Sequence, residues 1–424
     1  MNSAETATST VSPSAGRSTG WGWRVWVIIL GLLIAAGLAT WIYQLTQGLQ
    51  ITHMRDNVIW GFYIITFMFF VGLSAGGLIV ASAGRLFAGE RFKPIARLAL
   101  VEAAIAIFIA AIMIIPDLGH LEHFFNLIIH AHWLSPMIWD LLVVIIYLVI
   151  SVVYLWLYTR RDHAARGSWM ALGTKNHSAA ARASDEKVTY WYAWLALPAA
   201  ILVHSFTAWI FGLQISRGFW YQAIMAPLFI SSALVSGLAL VVILAMVTRR
   251  RGAVSFDDGL LSSVGRLLAI FIAVETFFVF CEVLAAYYPG VAGDPSRQLL
   301  TGRYAPGFYF EVIAGLLIPF VMLLFARWRA HRSVIVIASV LAMLGIFAHR
   351  ANIIVIGLGK APMQLAPGTP LGTPTTSGSS FAVSSVYFPS GWEFLIVIGA
   401  LALATMLFTL AIRYVPLKEP QETH

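Results

Sequence analysis

The chain has 424 residues, of which 59% are apolar and only 11% are charged, against roughly 25% charge in a typical soluble protein. This composition excludes a water-soluble fold and indicates an all-α integral membrane protein, because lipid satisfies no backbone hydrogen bond. The formal net charge is +8. Most of the basic residues flank apolar runs on one side, so the excess indicates membrane topology and not nucleic-acid binding.

Apolar runs long enough to cross a bilayer recur along the chain and predict ten transmembrane helices. We place them near residues 24–43, 57–82, 94–115, 137–158, 190–213, 223–247, 265–287, 309–326, 333–357 and 391–414. Residues 1–20 are small and polar, which predicts a disordered cytoplasmic tail. Residues 21–415 form the membrane domain, and residues 416–424 form a second cytoplasmic tail. No cleavage site follows the first apolar run, so we retain it as a span.

The basic residues orient the chain in the membrane. Those in segments assigned to the outer side are Arg55, Arg217, Arg297, Arg303, Arg350 and Lys360, six of the 27 Lys and Arg residues. The other 21 lie on the inner side, so the positive-inside rule predicts a protein of the cell (inner) membrane with both termini in the cytoplasm. The long outer segments 116–136, 288–308 and 358–390 are candidates for docking surfaces and site lids. We interpret the basic inner segment 159–189 as a solvated connector.

Two stretches of the sequence indicate an internal repeat. FVGLSAGGLIVASAGRLF (70–87) and FISSALVSGLALVVILAMVTRR (229–250) both have small residues early and arginine at the inner end. Each precedes a span with a mid-membrane glutamate. The offset of four spans predicts two four-helix bundles, about residues 57–213 and 223–357, related by a parallel repeat and joined by flanking helices. Ordinary packing of membrane helices through small residues explains the same stretches equally well.

Few ionisable side chains lie within the predicted spans, and each requires a polar partner or water there. Glu102, Glu275 and Glu282 lie well inside spans, whereas Asp140 and Glu311 lie near outer helix ends. Glu275 and Glu282 are seven residues apart and share one helical face, which can line a hydrated proton path. Pairing of each acid with an arginine or a backbone amide is the structural alternative.

The sequence offers few ligands for an electron-carrying metal centre. The single cysteine, Cys281, lies in an apolar run, which excludes cysteine-ligated iron–sulfur clusters and CxxCH haem attachment. Only His204 and His349 are assigned to the bundle interior, too few for two haems. A single haem is disfavoured because His349 lies near the outer end of its span. We therefore expect no haem and no iron–sulfur cluster in this chain, and any such centre in a partner.

The outer segment from Pro116 to Trp133 carries the densest group of polar residues, with histidines at positions 120, 123, 130 and 132. A zinc site is one interpretation, but these spacings suit no single helical face. A second interpretation fits better: His120, just beyond the third span, and Asp140, just inside the fourth, contact the two oxygens of a quinone head group. Both side chains exchange protons, so the pair would link electron transfer to proton transfer.

Several motifs together resemble the polysulfide reductase membrane-subunit family, also called NrfD-like. They are GFYIITFMFFVGLSAGG, PDLGH, SPMIWDLL, LQISRGFWYQAIMAPLFISSALVSG, HRANIIVIG and YFPSGWE, in this order along the chain. The resemblance covers about residues 50–400. It implies a haem-free subunit that binds a quinone, menaquinone or ubiquinone, near the outer face. It also implies an extracytoplasmic iron–sulfur partner, often with a molybdopterin catalytic subunit.

The resemblance also implies roles for individual residues. His120 and Asp140 would be the head-group ligands, with Asp117 and Trp139 beside them. The resemblance would assign proton transfer to Glu102, Glu275, Glu282 and Glu311. We add His204 to this group. We expect Arg217 or Arg350 to stabilise the negative charge that develops on the head group.

Two other functions stay open from the sequence. A secondary transporter or proton-coupled permease would also use ten spans, a repeat and buried acids. The polar cluster argues against it, because that cluster lies at the outer boundary and not at the midplane. A purely structural anchor that binds no quinone also fits the sequence.

Overall fold

The computed structural model describes residues 20–55, 58–87, 92–165, 167–172, 174, 178–254, 256–288, 294–359 and 387–417. Ten helical segments in these ranges are long and apolar enough to cross a membrane, which confirms the predicted all-α architecture. The two tails lie outside the described residues, except for Gly20, Pro416 and Leu417. Most of the outer segment 358–390, including Lys360, also lies outside them.

The helices follow the predicted spans closely. Their bounds are α1 (Trp21–Gln47), α2 (Phe62–Phe87), α3 (Lys93–Asp117), α4 (Phe124–Ile129), α5 (Pro136–Ala165), α6 (Ala179–Gly212), α7 (Met225–Arg250), α8 (Asp258–Tyr287), α9 (Asp294–Leu300), α10 (Ala305–Tyr309), α11 (Ile318–Leu324), α12 (Ala326–Arg329), α13 (Arg332–Gly357) and α14 (Gly391–Tyr414), with a π-helix at Phe310–Leu317 between α10 and α11. Several starts are capped, because a side-chain oxygen there accepts an otherwise unpaired backbone N–H. Ser390, for example, forms a capping box with Glu393 at the start of α14.

Helices α2 and α7 form the centre of the molecule. The most apolar part of α2 is 94% buried and that of α7 is 78% buried, against 17% for α1. Helix α2 packs against α3, α6 and α7, whereas α7 packs against α8, α13 and α6. Helix α1 pairs with α14 at the periphery. The contacts of α2 with α3 and α6 thus correspond to those of α7 with α8 and α13, which is the correspondence that a parallel repeat predicts. The repeat itself stays a prediction.

The two central helices cross at a pair of glycines. A Cβ atom on Gly76 would lie 2.8 Å from the Cα atom of Gly237 and would collide with the carbonyl oxygen of Ala233. Both obstacles are backbone atoms, which cannot move aside without shifting a helix. Small residues therefore allow α2 and α7 to approach closely, as is common between membrane helices.

The inner segment 159–189 differs from its interpretation as a solvated connector. Helix α5 continues to Ala165, and α6 already begins at Ala179. Asp185 on α6 forms ion pairs with both Arg160 and Arg161 on α5. The connector interpretation is therefore wrong for both ends of this segment, because the paired charges allow the two helices to continue past their apolar parts.

The eighth span is not a continuous α-helix. It consists of α10, the π-helix and α11, where a single α-helix was expected over 309–326. π-Helical turns are rare and often accompany functional side chains. Here the π-helix begins next to Glu311, one of the predicted proton-transfer residues.

The glycine crossing generates a stability prediction. Gly76→Ala should lower the free energy of unfolding by about 1–3 kcal/mol, because the added methyl group meets backbone on the facing helix. Gly31→Ala on α1 is the matched control, since a Cβ atom there meets nothing within 4 Å. Thermal unfolding of the detergent-solubilised chain measures both variants. Equal melting temperatures for the two would contradict the close crossing.

Candidate functional site

Asp140 is a buried carboxylate near the start of α5. Its residue is 4% exposed, and Thr207 Oγ1 on α6 donates a hydrogen bond of 2.5 Å to Asp140 Oδ1. Trp139 packs against Phe206, with ring centroids 6.0 Å apart. Trp139 Nε1 also donates to the carbonyl oxygen of Trp133 at 2.6 Å. The start of α5 therefore combines an acid, an aromatic wall and a tether to the outer segment.

His120 lies at the surface. Its side chain is 72% exposed, and Nδ1 lies 2.9 Å from Glu122 Oε1. The pKa of Glu122 is lowered, first by a backbone hydrogen bond within the same residue and then by His120. Gly119 precedes His120 with φ at +67°, a left-handed conformation that glycine adopts without a steric penalty. Among the described residues no hydrogen bond joins His120 to Asp140.

Asp117 belongs to a different neighbourhood, beside α1 and α14. Gln44 Nε2 donates to the carbonyl oxygen of Pro116 at 2.7 Å, and Tyr63 donates to Gln44 Oε1 at 2.6 Å. Glu393 lies within electrostatic reach of Asp117. No hydrogen-bond partner of Asp117 Oδ1 occurs in the described part of the chain.

Tyr387 completes this neighbourhood and was not expected from the sequence. Its hydroxyl accepts a hydrogen bond from the backbone N–H of Phe62 at 2.6 Å and donates to Glu393 Oε1. Burial, followed by the nearby Glu393 carboxylate, raises the pKa of Tyr387 far above its ordinary value. The YFPSGWE motif contains both residues, but nothing in it indicates that they meet.

The acids of the second predicted bundle lie together in the interior. His349 Nδ1 lies 2.8 Å from Glu311 Oε1, and Asn352 Nδ2 donates to Glu311 Oε2 at 2.7 Å. Glu275 accepts a hydrogen bond from Ser231. Glu282, on the same face of α8, lies within electrostatic reach of Glu275, Glu311 and His349.

Arg350 lies deep inside α13 and is fully buried, so its assignment to the outer charges is wrong. Its guanidinium lies 3.8 Å from the ring centroid of Phe229 and donates to Ser232. Nη2 also lies 3.4 Å from Nε2 of His204, which projects from α6. Arg350 thus joins helices of the two predicted bundles and contacts none of the outer candidates through a described hydrogen bond.

Glu102 lies within the first predicted bundle. Neither carboxylate oxygen has a hydrogen-bond partner among the described residues. Tyr147 on α5 lies within electrostatic reach and donates to the carbonyl oxygen of Ser74 at 3.0 Å. Ser74 in turn donates to the carbonyl oxygen of Ala103 at 2.6 Å. Tyr147 was missed because a single tyrosine in an apolar run carries no distinctive pattern.

Arg217 lies in the segment between α6 and α7. Its guanidinium lies 5.9 Å from the ring centroid of Trp220, and partial burial lowers the pKa of Arg217. In the described ranges no three His, Cys, Asp or Glu side chains are placed to share a metal ion.

The fold and these buried polar groups define the chain as a multi-pass helical membrane protein with ionisable residues inside its bundle. The family described as "Polysulphide reductase, NrfD" matches residues 50–360. The chain therefore belongs to this family, as its motifs indicated, and it serves as a membrane-anchor subunit.

Three relatives are similar over nearly their whole length. A provisionally named membrane subunit of dimethyl sulfoxide reductase from Halobacterium salinarum is 37% identical, over 93% of this chain and 92% of the relative. A selenate reductase subunit from Mesobacillus selenatarsenatis is 25% identical, over 95% and 97%. The Hdr-like menaquinol oxidoreductase integral membrane subunit of Archaeoglobus fulgidus is 28% identical, over 91% of each.

The Asp140–Thr207 hydrogen bond generates the second prediction. Thr207→Val should destabilise the protein by about 1–3 kcal/mol, because it leaves a buried acceptor without its donor. Thr405→Val is the control, since Thr405 bonds only a carbonyl of its own helix. Thr207→Ser keeps the hydroxyl and should restore most of the loss. Thermal unfolding measures all three variants. An equal loss of stability in Thr207→Val and Thr405→Val would contradict the role of this hydrogen bond.

Proposed function

We propose that the chain exchanges electrons between the quinone pool of the membrane and an iron–sulfur partner docked on its outer face. The observation that carries this proposal is Asp140, a buried carboxylate at the start of α5 that accepts a hydrogen bond from Thr207 and follows Trp139 in the chain. A buried acid in this position is suited to accept or release the proton of a quinol hydroxyl. The family membership and the name of the menaquinol oxidoreductase relative support the same function.

In this proposal Asp140 contacts one oxygen of the quinone head group and His120 contacts the other. His120 follows Gly119 in an exposed segment, so its ring is free to turn towards a head group that enters beside α5. Trp139 would cover one face of the ring, and Asp117 would lie behind His120. Of the two arginines, Arg217 is the candidate for balancing negative charge, because Arg350 is occupied in the interior.

The quinone supplies the two-electron chemistry, and the chain supplies binding and proton transfer. The electrons would pass to the docked iron–sulfur protein, and a molybdopterin subunit beyond it would carry the terminal reaction. Protons would move through Asp140 and the buried acids of the bundle, Glu102, Glu275, Glu282 and Glu311, with His204 between them. A menaquinone or a ubiquinone fits the same pair of ligands.

The outer segment offers a surface for the proposed partner and for the membrane boundary. Helix α4 and the residues after it expose large apolar side chains, among them Phe125, Ile129, Trp133 and Leu134. Trp side chains favour the membrane–water interface. A head group entering from the outer leaflet would pass this segment before it reaches Asp140.

The third prediction tests the two head-group ligands in the assembled complex. Asp140→Asn should reduce quinol-dependent electron transfer by a factor of about 10² to 10⁴, the usual contribution of a positioned acid or base. His120→Ala should also impair the reaction. His331→Ala, at an exposed histidine just before α13 and outside the outer segment, is the control and should leave the rate unchanged.

Activity like that of the unmodified complex in Asp140→Asn would remove Asp140 from the mechanism. Lipid extraction from the purified chain provides a second readout: bound quinone supports the proposal. A chain that carries no quinone and drives solute-dependent flux in liposomes would instead identify a transporter.

A further inference from the structure

Five ionisable groups lie together in the second predicted bundle, and we name them the interior cluster: Glu275, Glu282, Glu311, His349 and Arg350. None of these residues is more than 3% exposed. They project from α8, from the π-helix and from α13, so the cluster is held by tertiary packing and not by one local motif.

The hydrogen bonds of the interior cluster are incomplete. One oxygen each of Glu275 and Glu282, Nε2 of His349, and Nε and Nη1 of Arg350 lack a partner within the described ranges. These atoms are buried donors and acceptors that can hold exchangeable protons or bind water. These atoms belong to two of the acids, to His349 and to Arg350, so the incomplete hydrogen bonding is a property of the whole cluster.

The charges of the cluster determine how many protons it holds. Arg350 is permanently positive. Three ionised carboxylates beside Arg350 and a protonated His349 would leave one negative charge uncompensated in a lipid-enclosed interior, which is strongly disfavoured. Neutrality therefore requires two protons on the four titratable groups: one on a carboxyl and one on His349, or both on carboxyls.

Arg350 also reaches His204 on α6, the helix that carries Thr207. An arginine only donates hydrogen bonds, so Nε2 of His204 accepts from it and carries a lone pair. His204 and Thr207 are three residues apart on α6 and so lie on the same face, one turn from each other. Thr207 donates to Asp140. Arg350 thus lies beside His204 and within electrostatic reach of Glu275, Glu282 and Glu311.

We propose that the interior cluster is a proton-storage site that holds two exchangeable protons balanced against Arg350, and that Arg350 couples its proton content to Asp140 through His204 and Thr207. The storage follows from the buried charges alone. The coupling rests on the proposed function, because only that function gives Asp140 a changing charge.

Infrared spectroscopy of the full chain in lipid nanodiscs, without quinone and at neutral pH, tests the storage. The sum of the carboxylic-acid and imidazolium bands reports the protons held. Glu282→Gln should lower this sum by one proton, Arg350→Gln should raise it by one, and the double variant should restore it. Glu186→Gln, at an exposed acid on α6, is the control and should change nothing. An unchanged sum in Glu282→Gln or in Arg350→Gln would overturn the proposal.

One further variant keeps the test decisive. Arg350→Lys retains the charge and should keep the original sum, so a folding defect in Arg350→Gln is separated from a charge effect. Glu282→Gln alone decides the storage if Arg350→Gln does not fold.

The coupling has a separate readout. Asp140→Asn removes a negative charge, so the bands of the interior cluster should titrate at lower pH than in the unmodified chain. The shift should vanish when His204→Ala is added. If the titration does not shift in Asp140→Asn, the coupling is overturned, but quinone binding by Asp140 is not. If Asp140→Asn oxidises quinol at the unmodified rate, the proposed function is overturned, but the number of protons stored in the interior cluster is not affected.

Discussion

The burial of charge in a lipid-enclosed bundle limits how the helices of this protein can be arranged. A carboxylate or guanidinium inside a membrane protein requires partners from other helices, because the surrounding lipid supplies none. Asp140 on α5 is bonded by Thr207 on α6, and Glu311 meets His349 across two elements. These polar contacts therefore specify which helices are neighbours.

The close crossing of α2 and α7 makes the longest of these connections possible. Gly76 and Gly237 bring the two central helices into backbone contact, so the helices behind them are also close. Arg350 on α13 consequently reaches both Ser232 on α7 and His204 on α6. A larger residue at the crossing would separate the two halves and leave a buried guanidinium without its acceptors.

The sequence was sufficient for the architecture, because runs of apolar residues in lipid have one stable solution. It also singled out Asp140, since an acid at a helix start within an apolar segment is unusual; the structure buries this carboxylate beside Thr207, and its role stays a prediction. It could not place Arg350, because two adjacent ionisable residues late in an apolar run are equally typical of a helix end. Nor could it predict the π-helix at Glu311, because that geometry depends on how α13 packs against it.

The pairing of His120 with Asp140 stays a prediction. The two side chains belong to different local environments, one exposed beside Glu122 and the other buried beside Thr207. Such an arrangement suits a site that closes around its ligand, because the exposed histidine would move and the buried acid would not. This difference in environment explains why the spacing in the sequence can suggest the pair but cannot predict the distance between the two side chains.

Photoreactive quinone labelling of the assembled complex, followed by peptide mapping, locates the head group without relying on any substitution. If Asp140 and His120 hold the head group, the label should fall on the outer segment and the first turns of α5, between Asp117 and Asp140, and excess natural quinone should prevent it. Labelling confined to the interior around Glu275 and Arg350, or labelling that natural quinone does not prevent, would contradict a quinone site at the outer boundary.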